Sequence, residues 1–209
     1  MSRSNLLSVG HSNHTLERFL DLLRGAGVTA VADVRSSPFS RRHPQFNGPD
    51  LAVALREAGI DYVFLGEQLG GRPRSRDYYD ADGRVDYELV RATRSFQEGI
   101  AHLLRGAEEF RVAMLCSEED PLDCHRGLMI TPALGEQGIQ LGHLRKDGRV
   151  ETTPEMEARL LAETAVGEGM IGGLFAGQLS EEERQEMLAE AYRRMARRKA
   201  FQRPTEEEE

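Results

Sequence analysis

Short runs of apolar residues alternate with amphipathic stretches along most of the chain. Five of these runs predict β-strands, namely LLSV (6–9), VTAVADV (28–34), IDYVFL (60–65), FRVAMLC (110–116) and IQLGHL (139–144). Between them, apolar residues recur at the spacing of one helix face, as at Leu16, Phe19 and Leu23. Alternating strands and helices are typical of right-handed βαβ units. The pattern therefore predicts an α/β fold, with a mostly parallel sheet flanked by helices in a Rossmann-like three-layer arrangement.

Capping residues and breakers mark the predicted helix ends. Thr15 is placed to cap the first helix, and one continuous helix is predicted over 87–105. The stretch 126–138 has helical character but contains Pro132. Because proline disrupts a helix interior, we expect Thr131 and Pro132 to cap and begin a fresh helical turn there.

The residues after position 150 differ in character. Ser180 and Glu183 match a capping box, and the helix that they begin is acidic at its start and basic at its end. We therefore predict an α/β domain over 1–150 that carries the site, a linker with a C-terminal helical extension over 151–203, and an acidic tail over 204–209. The glycine-rich stretch GEGMIGGLFAGQ is predicted to be a flexible link. The C-terminal helix would either pack on its own domain or pair two subunits in a homodimer.

Composition narrows the class of protein. Of the 209 residues, 39% are hydrophobic and 30% are charged, which is a globular balance. No apolar run approaches the roughly 20 residues that span a bilayer, and the N-terminus lacks a secretory signal. We therefore expect a cytoplasmic protein without a membrane partner. Two cysteines in a reducing compartment are too few for a disulfide framework.

The charge is unevenly distributed. A net charge of −8 argues against broad nucleic-acid binding. Three segments are nevertheless locally basic, namely RSSPFSRRHPQF, GGRPRSR and RRMARRK. A local site for an anion is therefore compatible with an acidic protein.

Polar clusters follow four of the predicted strands. In a parallel α/β sheet, ligands bind beyond the carboxyl ends of the strands, so we expect these clusters to share one edge. The predicted catalytic residues are His11, Asp33, Cys116, Glu118 and His125, and the predicted substrate-binding residues are Ser12, Arg35, Ser36, Ser40, Arg41, Arg72 and Arg126.

Within this set, individual roles follow from residue chemistry. His11 or Glu118 would move a proton. Asp33 would act either as a base or, as we favour, by orienting Arg35 through a charge-assisted pair. Arg35 and Arg126 would hold the anionic group of a substrate.

The stretch LCSEEDPLDCHRG holds both cysteines of the chain, Cys116 and Cys124. Cys116 stands between a strand and a helix, where backbone N–H groups favour a thiolate, so it is either a reactive thiol, a buried structural residue or a metal ligand. Cys116, Cys124 and His125 would bind zinc or iron if His11 or His43 completed the set, although the spacing matches no standard zinc pattern. The stretch is not a C-x-x-C redox motif, and Leu122 stands where a thiol-phosphatase loop requires arginine.

Several motifs together resemble an uncharacterised bacterial family, the domain of unknown function 488. The matching pieces are SVGHSNHTLERFLDLL, VADVRSSPFSRRHPQFN, YVFLGEQLGGRP, VAMLCSEEDPLDCHR and HLRKDGRVE, which cover roughly residues 6–160 in order. The resemblance implies an α/β fold and a shared polar pocket at these motifs. It implies no particular reaction.

Three hypotheses for function follow. The first is an enzyme that hydrolyses or transfers a group on a phosphorylated or otherwise anionic substrate, with a nucleotide or a nucleic-acid end among the candidates. No dinucleotide fingerprint or phosphate-binding P-loop is present, and the sequence identifies no cofactor. The second is a non-catalytic module that binds nucleotides or nucleic acid. The third is a metal protein using Cys116, Cys124 and His125.

Overall fold

The computed structural model describes residues 5–167 and 180–204. The glycine-rich link lies outside the described residues except for Gly167, and so does the acidic tail except for Pro204. Within the described ranges, no helix combines the length and apolar character needed to cross a bilayer.

A six-stranded sheet forms the centre of the protein. Its strands are β1 (Leu6–Gly10), β2 (Ala30–Asp33), β3 (Asp61–Phe64), β4 (Val112–Cys116), β5 (Gly142–Leu144) and β6 (Val150–Thr152). Their order is β3-β2-β4-β1-β5-β6, and every pairing is parallel except that of β5 with β6. The predicted mostly parallel sheet is therefore confirmed.

Helices cover both faces of this sheet. They are α1 (Leu16–Gly25), α2 (Gly48–Glu57), α3 (Gly66–Leu69), α4 (Tyr87–Arg91), α5 (Arg94–Glu109), α6 (Thr131–Gly135), α7 (Thr153–Thr164) and α8 (Glu181–Lys199). Shorter turns are the 3₁₀ segments Pro44–Phe46, Arg76–Tyr78 and Pro121–Asp123, and a π-helical turn spans Arg126–Ile130.

The core is divided by the sheet into two apolar clusters. Successive strand residues point to opposite faces, so Ala113 and Leu115 of β4 pack with α1 and α2, whereas Met114 packs with α5 and the C-terminal helices. Phe19 is fully buried on the first face and Phe96 on the second. The predicted three-layer arrangement is thereby confirmed.

Two predicted helices differ from the structure. The helix expected over 87–105 is divided in two, because Thr93 leaves helical geometry and its side chain accepts the Phe96 N–H to cap α5. A new helix, α6, begins at Thr131 as predicted, but the prediction that Thr131 caps it is wrong. The chain stays helical there, and the Thr131 hydroxyl and N–H both donate to the Arg126 carbonyl within the π turn. Pro132 then falls in the first turn of α6, where its missing N–H is tolerated.

The region after residue 150 contains elements that the sequence pattern did not predict. β6 extends the sheet, and α7 begins at a capping box formed by Thr152 and Glu155. The capping box of Ser180 and Glu183 at α8 is confirmed. The apolar side of α8, including Met195, is buried in the core of its own chain. Pairing of subunits through this helix and the domain division at residue 150 stay predictions.

Candidate functional site

The ends of three parallel strands lie side by side at one edge of the sheet. Gly10 of β1 is in register with Cys116 of β4, and Asp33 of β2 is in register with Leu115. The His11 N–H donates to the Cys116 carbonyl oxygen, 3.0 Å away, so the segment after β1 continues along the segment after β4. The topology thus brings the polar groups that follow these strands to one place.

At this edge, Cys116, Cys124 and His125 form a compact buried group, here called the thiol–imidazole cluster. The His125 Nδ1 atom lies 3.7 Å from each of the two sulfur atoms. One ligand atom from each residue lies within 4.8 Å of the other two. Both thiols are free, and all three residues are buried.

The imidazole ring of His125 is fixed from its other side. Its Nε2 atom lies 2.9 Å from the Val34 carbonyl oxygen. Because a carbonyl can only accept, Nε2 carries a proton, and Nδ1 faces the two sulfur atoms. Gly71 packs directly on the ring, so that a β-carbon at this position would lie 2.7 Å from the His125 Cγ atom. The ring therefore has little freedom to move.

The two thiols differ in pKa. The pKa of the Cys116 thiol is raised by the hydrogen bond with Cys124 and by burial. Burial acts in the same direction on the Cys124 thiol, but the hydrogen bond from Cys116 and the charges of Arg126 and His125 outweigh it and hold that pKa well below its usual value. Burial lowers the pKa of His125, but the negative Cys124 sulfur more than offsets this and raises it overall. The two thiols are therefore not equivalent, and Cys124 is the more acidic of them.

Glu118 and Tyr87 border the cluster. The Cys116 thiol donates to Glu118 Oε2, which lies 3.1 Å from the sulfur. Burial, followed by the nearby Cys124 charge, raises the pKa of the Glu118 carboxyl. The same two influences raise the pKa of the buried Tyr87 phenol. A group able to carry a proton therefore stands beside the sulfur atoms.

The Arg126 side chain holds the loop that carries Glu118. It is 1% exposed and donates to the backbone carbonyls of Glu118 and Glu119 at 2.7 and 2.6 Å. A side chain at Gly10 would overlap the Glu118 carbonyl oxygen, so this close strand-to-loop contact requires glycine. Arg145 adds a further anchor through its ion pair with Glu119 at 2.8 Å. The structure thus shows Arg126 engaged with backbone, and its anion-binding role stays a prediction.

Asp33 and Arg35 form a buried ion pair next to the cluster. Arg35 donates from Nε and Nη2 to the two Asp33 oxygens at 2.9 and 2.6 Å, and the Tyr62 hydroxyl also donates to Asp33 at 2.9 Å. Asp33 is fully buried and Arg35 is 4% exposed. The carboxylate thus fixes the position of the guanidinium group, and the choice between a base and an orienting role for Asp33 stays a prediction.

His11 lies at the same edge but outside the thiol–imidazole cluster. Its ring stacks on Phe46 at a centroid distance of 4.4 Å, and Nδ1 donates to the Ser12 carbonyl. Burial lowers its pKa to about 4, so the ring is neutral at pH 7. Its buried Nε2 has no hydrogen-bond partner among the described residues.

The remaining predicted residues are spread around this edge. Ser36 Oγ accepts the Arg72 N–H at 2.9 Å, whereas Ser40 accepts the His43 N–H within its own loop. Ser12 is partly buried, and Arg41 and Arg72 are exposed. The structure therefore joins Ser36 to the segment after Gly71 and leaves Ser40 and Arg41 farther out on the preceding loop.

Sequence reasoning did not identify three supports of the site. The Val34 contact is made by a backbone carbonyl, which every residue has, so the sequence carries no signal for it. Tyr62 lies on β3, 29 positions from the Asp33 carboxylate that it contacts. Arg159 binds Asp120 and Glu151 from α7, a helix that was not predicted.

Comparison with known proteins assigns the chain to a family. Neither the curated proteins nor the solved structures contain a match. A family model, described as the domain of unknown function DUF488, matches residues 15–131, which is more than half of the chain and includes the whole thiol–imidazole cluster. The chain therefore belongs to the DUF488 family.

Proposed function

We propose that the thiol–imidazole cluster is a metal centre and that the protein is a metal-dependent hydrolase or group-transfer enzyme. The observation that carries this proposal is the convergence of two sulfur atoms and one imidazole nitrogen within 4.8 Å of one another in a buried place. Thiolate and imidazole are the ligands that zinc and similar ions prefer.

The distances suit such an ion. Metal–sulfur bonds of about 2.3 Å and metal–nitrogen bonds of about 2.0 Å in tetrahedral geometry place sulfur and nitrogen roughly 3.6 Å apart. The two sulfur-to-Nδ1 distances are both 3.7 Å. The Val34 carbonyl binds the opposite nitrogen of the ring, which is how ligand histidines are usually held.

The ligand set also supports catalysis. With three protein ligands, a metal keeps one position for substrate or water and acts there as a Lewis acid. The Glu118 carboxylate stands 3.1 Å from Cys116 Sγ and is placed to accept a proton from a molecule bound beside the cluster. The anionic substrate of the first hypothesis remains part of the proposal, and so does a cytoplasmic location, where free thiols persist.

Metal analysis of protein purified without a histidine tag tests the centre. We expect about one divalent metal per chain in the wild type and loss of that metal in Cys124→Ser and His125→Asn. His102→Asn is the matched control, because His102 is exposed on α5. Cobalt-loaded protein should show the visible absorption of tetrahedral thiolate ligation. Wild-type protein that stays metal-free after anaerobic incubation with zinc would overturn the proposal.

A second experiment tests the catalytic part. Glu118→Gln should retain the metal and lose hydrolysis of activated phosphate and carboxylate esters by roughly a hundredfold or more, as expected for a general acid–base group. If Glu118→Gln hydrolyses every ester that the wild type accepts at the wild-type rate, Glu118 has no such role.

A thiol-nucleophile enzyme is the second candidate, and the environment of Cys124 favours it. The Arg126 N–H donates to the Cys124 sulfur at 3.5 Å, and His125 contacts the same sulfur. Such contacts stabilise a thiolate. Metal-free protein whose Cys124 is alkylated rapidly by iodoacetamide at neutral pH would favour this candidate. Slow alkylation even after metal removal would exclude it.

A further inference from the structure

An arginine-lined cleft of about 390 Å³ opens beside the segment that covers His125. Its lining includes Arg72, Arg74, Arg76 and Arg203, together with Tyr79 and Phe201. Among the described residues, no aspartate or glutamate lines it. Closely spaced guanidinium groups raise the local positive potential. On a chain of net charge −8, this clustering points to an anionic ligand.

Two of the four guanidinium groups are held in place by aromatic rings. Arg72 stacks over Phe201 at 4.5 Å, and Arg203 stacks over Tyr79 at 4.2 Å. Arg203 also donates to the Arg74 carbonyl at 2.6 Å. Arginines fixed in this way lose little conformational entropy when they bind a ligand.

The cleft lies close to the thiol–imidazole cluster. Arg72 directly follows Gly71, which packs against the His125 ring. Tyr79 and Phe201, which line the cleft, pack against the same apolar cluster that contains Cys116 and Cys124. The cleft and the cluster are therefore connected through consecutive residues of one segment.

We propose that this cleft binds the phosphate groups of a small phosphorylated substrate, with a phosphate monoester or diphosphate against Arg72, Arg74 and Arg203. This assignment names the substrate class of the proposed metal enzyme and rests on that function for its catalytic meaning. Arginine forks match phosphate oxygens in geometry and charge, and a phosphate carries the high charge density that several guanidinium groups neutralise.

Calorimetric titration of the full chain with inorganic pyrophosphate tests the assignment. We expect Arg72→Gln and Arg74→Gln each to raise Kd about tenfold or more, as for loss of a charge-assisted hydrogen bond. Arg94→Gln is the matched control, because its side chain is 92% exposed on α5 and is not part of the cleft lining. Its Kd should stay within about twofold of the wild type. Equal affinity in all four proteins, or no binding at millimolar pyrophosphate, would overturn the proposal.

Two further measurements test whether nucleic acid or the acidic tail occupies the cleft instead. A single-stranded oligonucleotide that displaces pyrophosphate and loses affinity steeply with salt would assign the cleft to nucleic acid and overturn a small-molecule site. The residues TEEEE directly follow Pro204, which lines the cleft. If replacing their four glutamates by glutamine strengthens pyrophosphate binding tenfold, then the acidic tail competes for the cleft in the wild type. The arginines would then serve an intramolecular contact, and the assignment of the cleft to a substrate is overturned.

Metal content, measured on the same samples, distinguishes this proposal from the function on which it rests. Arginine-dependent pyrophosphate binding by protein that takes up no metal would support the cleft and overturn the metal enzyme. Metal-loaded protein whose pyrophosphate affinity is unchanged by substitution of Arg72 or Arg74 would support the metal centre and overturn the cleft proposal.

Discussion

Replacing Gly71 by alanine should displace His125 and weaken metal binding without unfolding the protein. The added methyl group would lie 2.7, 2.8 and 2.9 Å from the Cγ, Cβ and Nδ1 atoms of His125. Gly71 does not have the left-handed backbone conformation that disfavours alanine, so the effect of the substitution is purely steric.

The size of the displacement follows from these distances. Non-bonded carbon atoms are most stable about 3.5–4.0 Å apart, so the ring must retreat by about 1 Å. A shift of that size would change the 3.7 Å contacts between Nδ1 and the two sulfur atoms, whose present length suits tetrahedral metal bonding. We expect metal affinity to fall by about tenfold to a hundredfold. The overpacking itself should cost about 1–3 kcal/mol of folding stability.

Metal content after dialysis against a competing chelator, together with urea unfolding, measures both effects. Gly135→Ala is the control, because no atom lies within 4 Å of a β-carbon built there. Its stability should stay within about 1 kcal/mol of the wild type and its metal content should be unchanged. If Gly71→Ala binds metal as tightly as the wild type, then His125 is not a ligand or the packing on its ring is not needed.

Three further predictions concern stability, each measured by urea unfolding. Asp33→Asn should lower the free energy of unfolding by about 3–5 kcal/mol, because the buried Arg35 cation loses its counter-charge. Burial lowers the pKa of His143 to about 3, from 6.5 in the unfolded chain. The stability that depends on its neutral form is therefore complete above pH 6.5 and is lost as the pH falls toward 3. His143→Asn should remove about 2 kcal/mol of the stability loss between pH 6.5 and pH 5. Ser180→Ala should cost about 1 kcal/mol, because it removes the cap that accepts the Glu183 N–H.

Each of these predictions has a result that contradicts it. An Asp33→Asn variant within 1 kcal/mol of the wild type would mean that Arg35 finds another partner or reaches water. Identical stability curves against pH for wild type and His143→Asn would show that this ring is not kept neutral by the fold. A Ser180→Ala variant as stable as the wild type would indicate that the first turn of α8 contributes nothing to global unfolding.

Features that depend on contacts between residues close together in the chain could be predicted from the sequence. Thr15 and Ser180 cap helices through N–H groups three residues away, so spacing alone reveals them. Asp33 and Arg35 are two positions apart at the end of a strand, and their side chains form a hydrogen-bonded ion pair. The convergence of polar clusters at one sheet edge follows from parallel strand order. The sequence did not reveal the break at Thr93, where a cap competes with helix continuation.

The sequence by itself therefore determined the α/β class, the main parallel strands and the edge at which polar groups gather, because alternation and capping act over a few residues. Only the tertiary structure decided which of those groups touch. Cys116 and Cys124 stand eight positions apart, and they meet at one imidazole because the intervening loop is folded back and held by Arg126. The His125 ring is oriented by a backbone carbonyl 91 positions away. Such contacts depend on strand order and loop conformation, and neither of these produces a recognisable pattern of residues in the sequence.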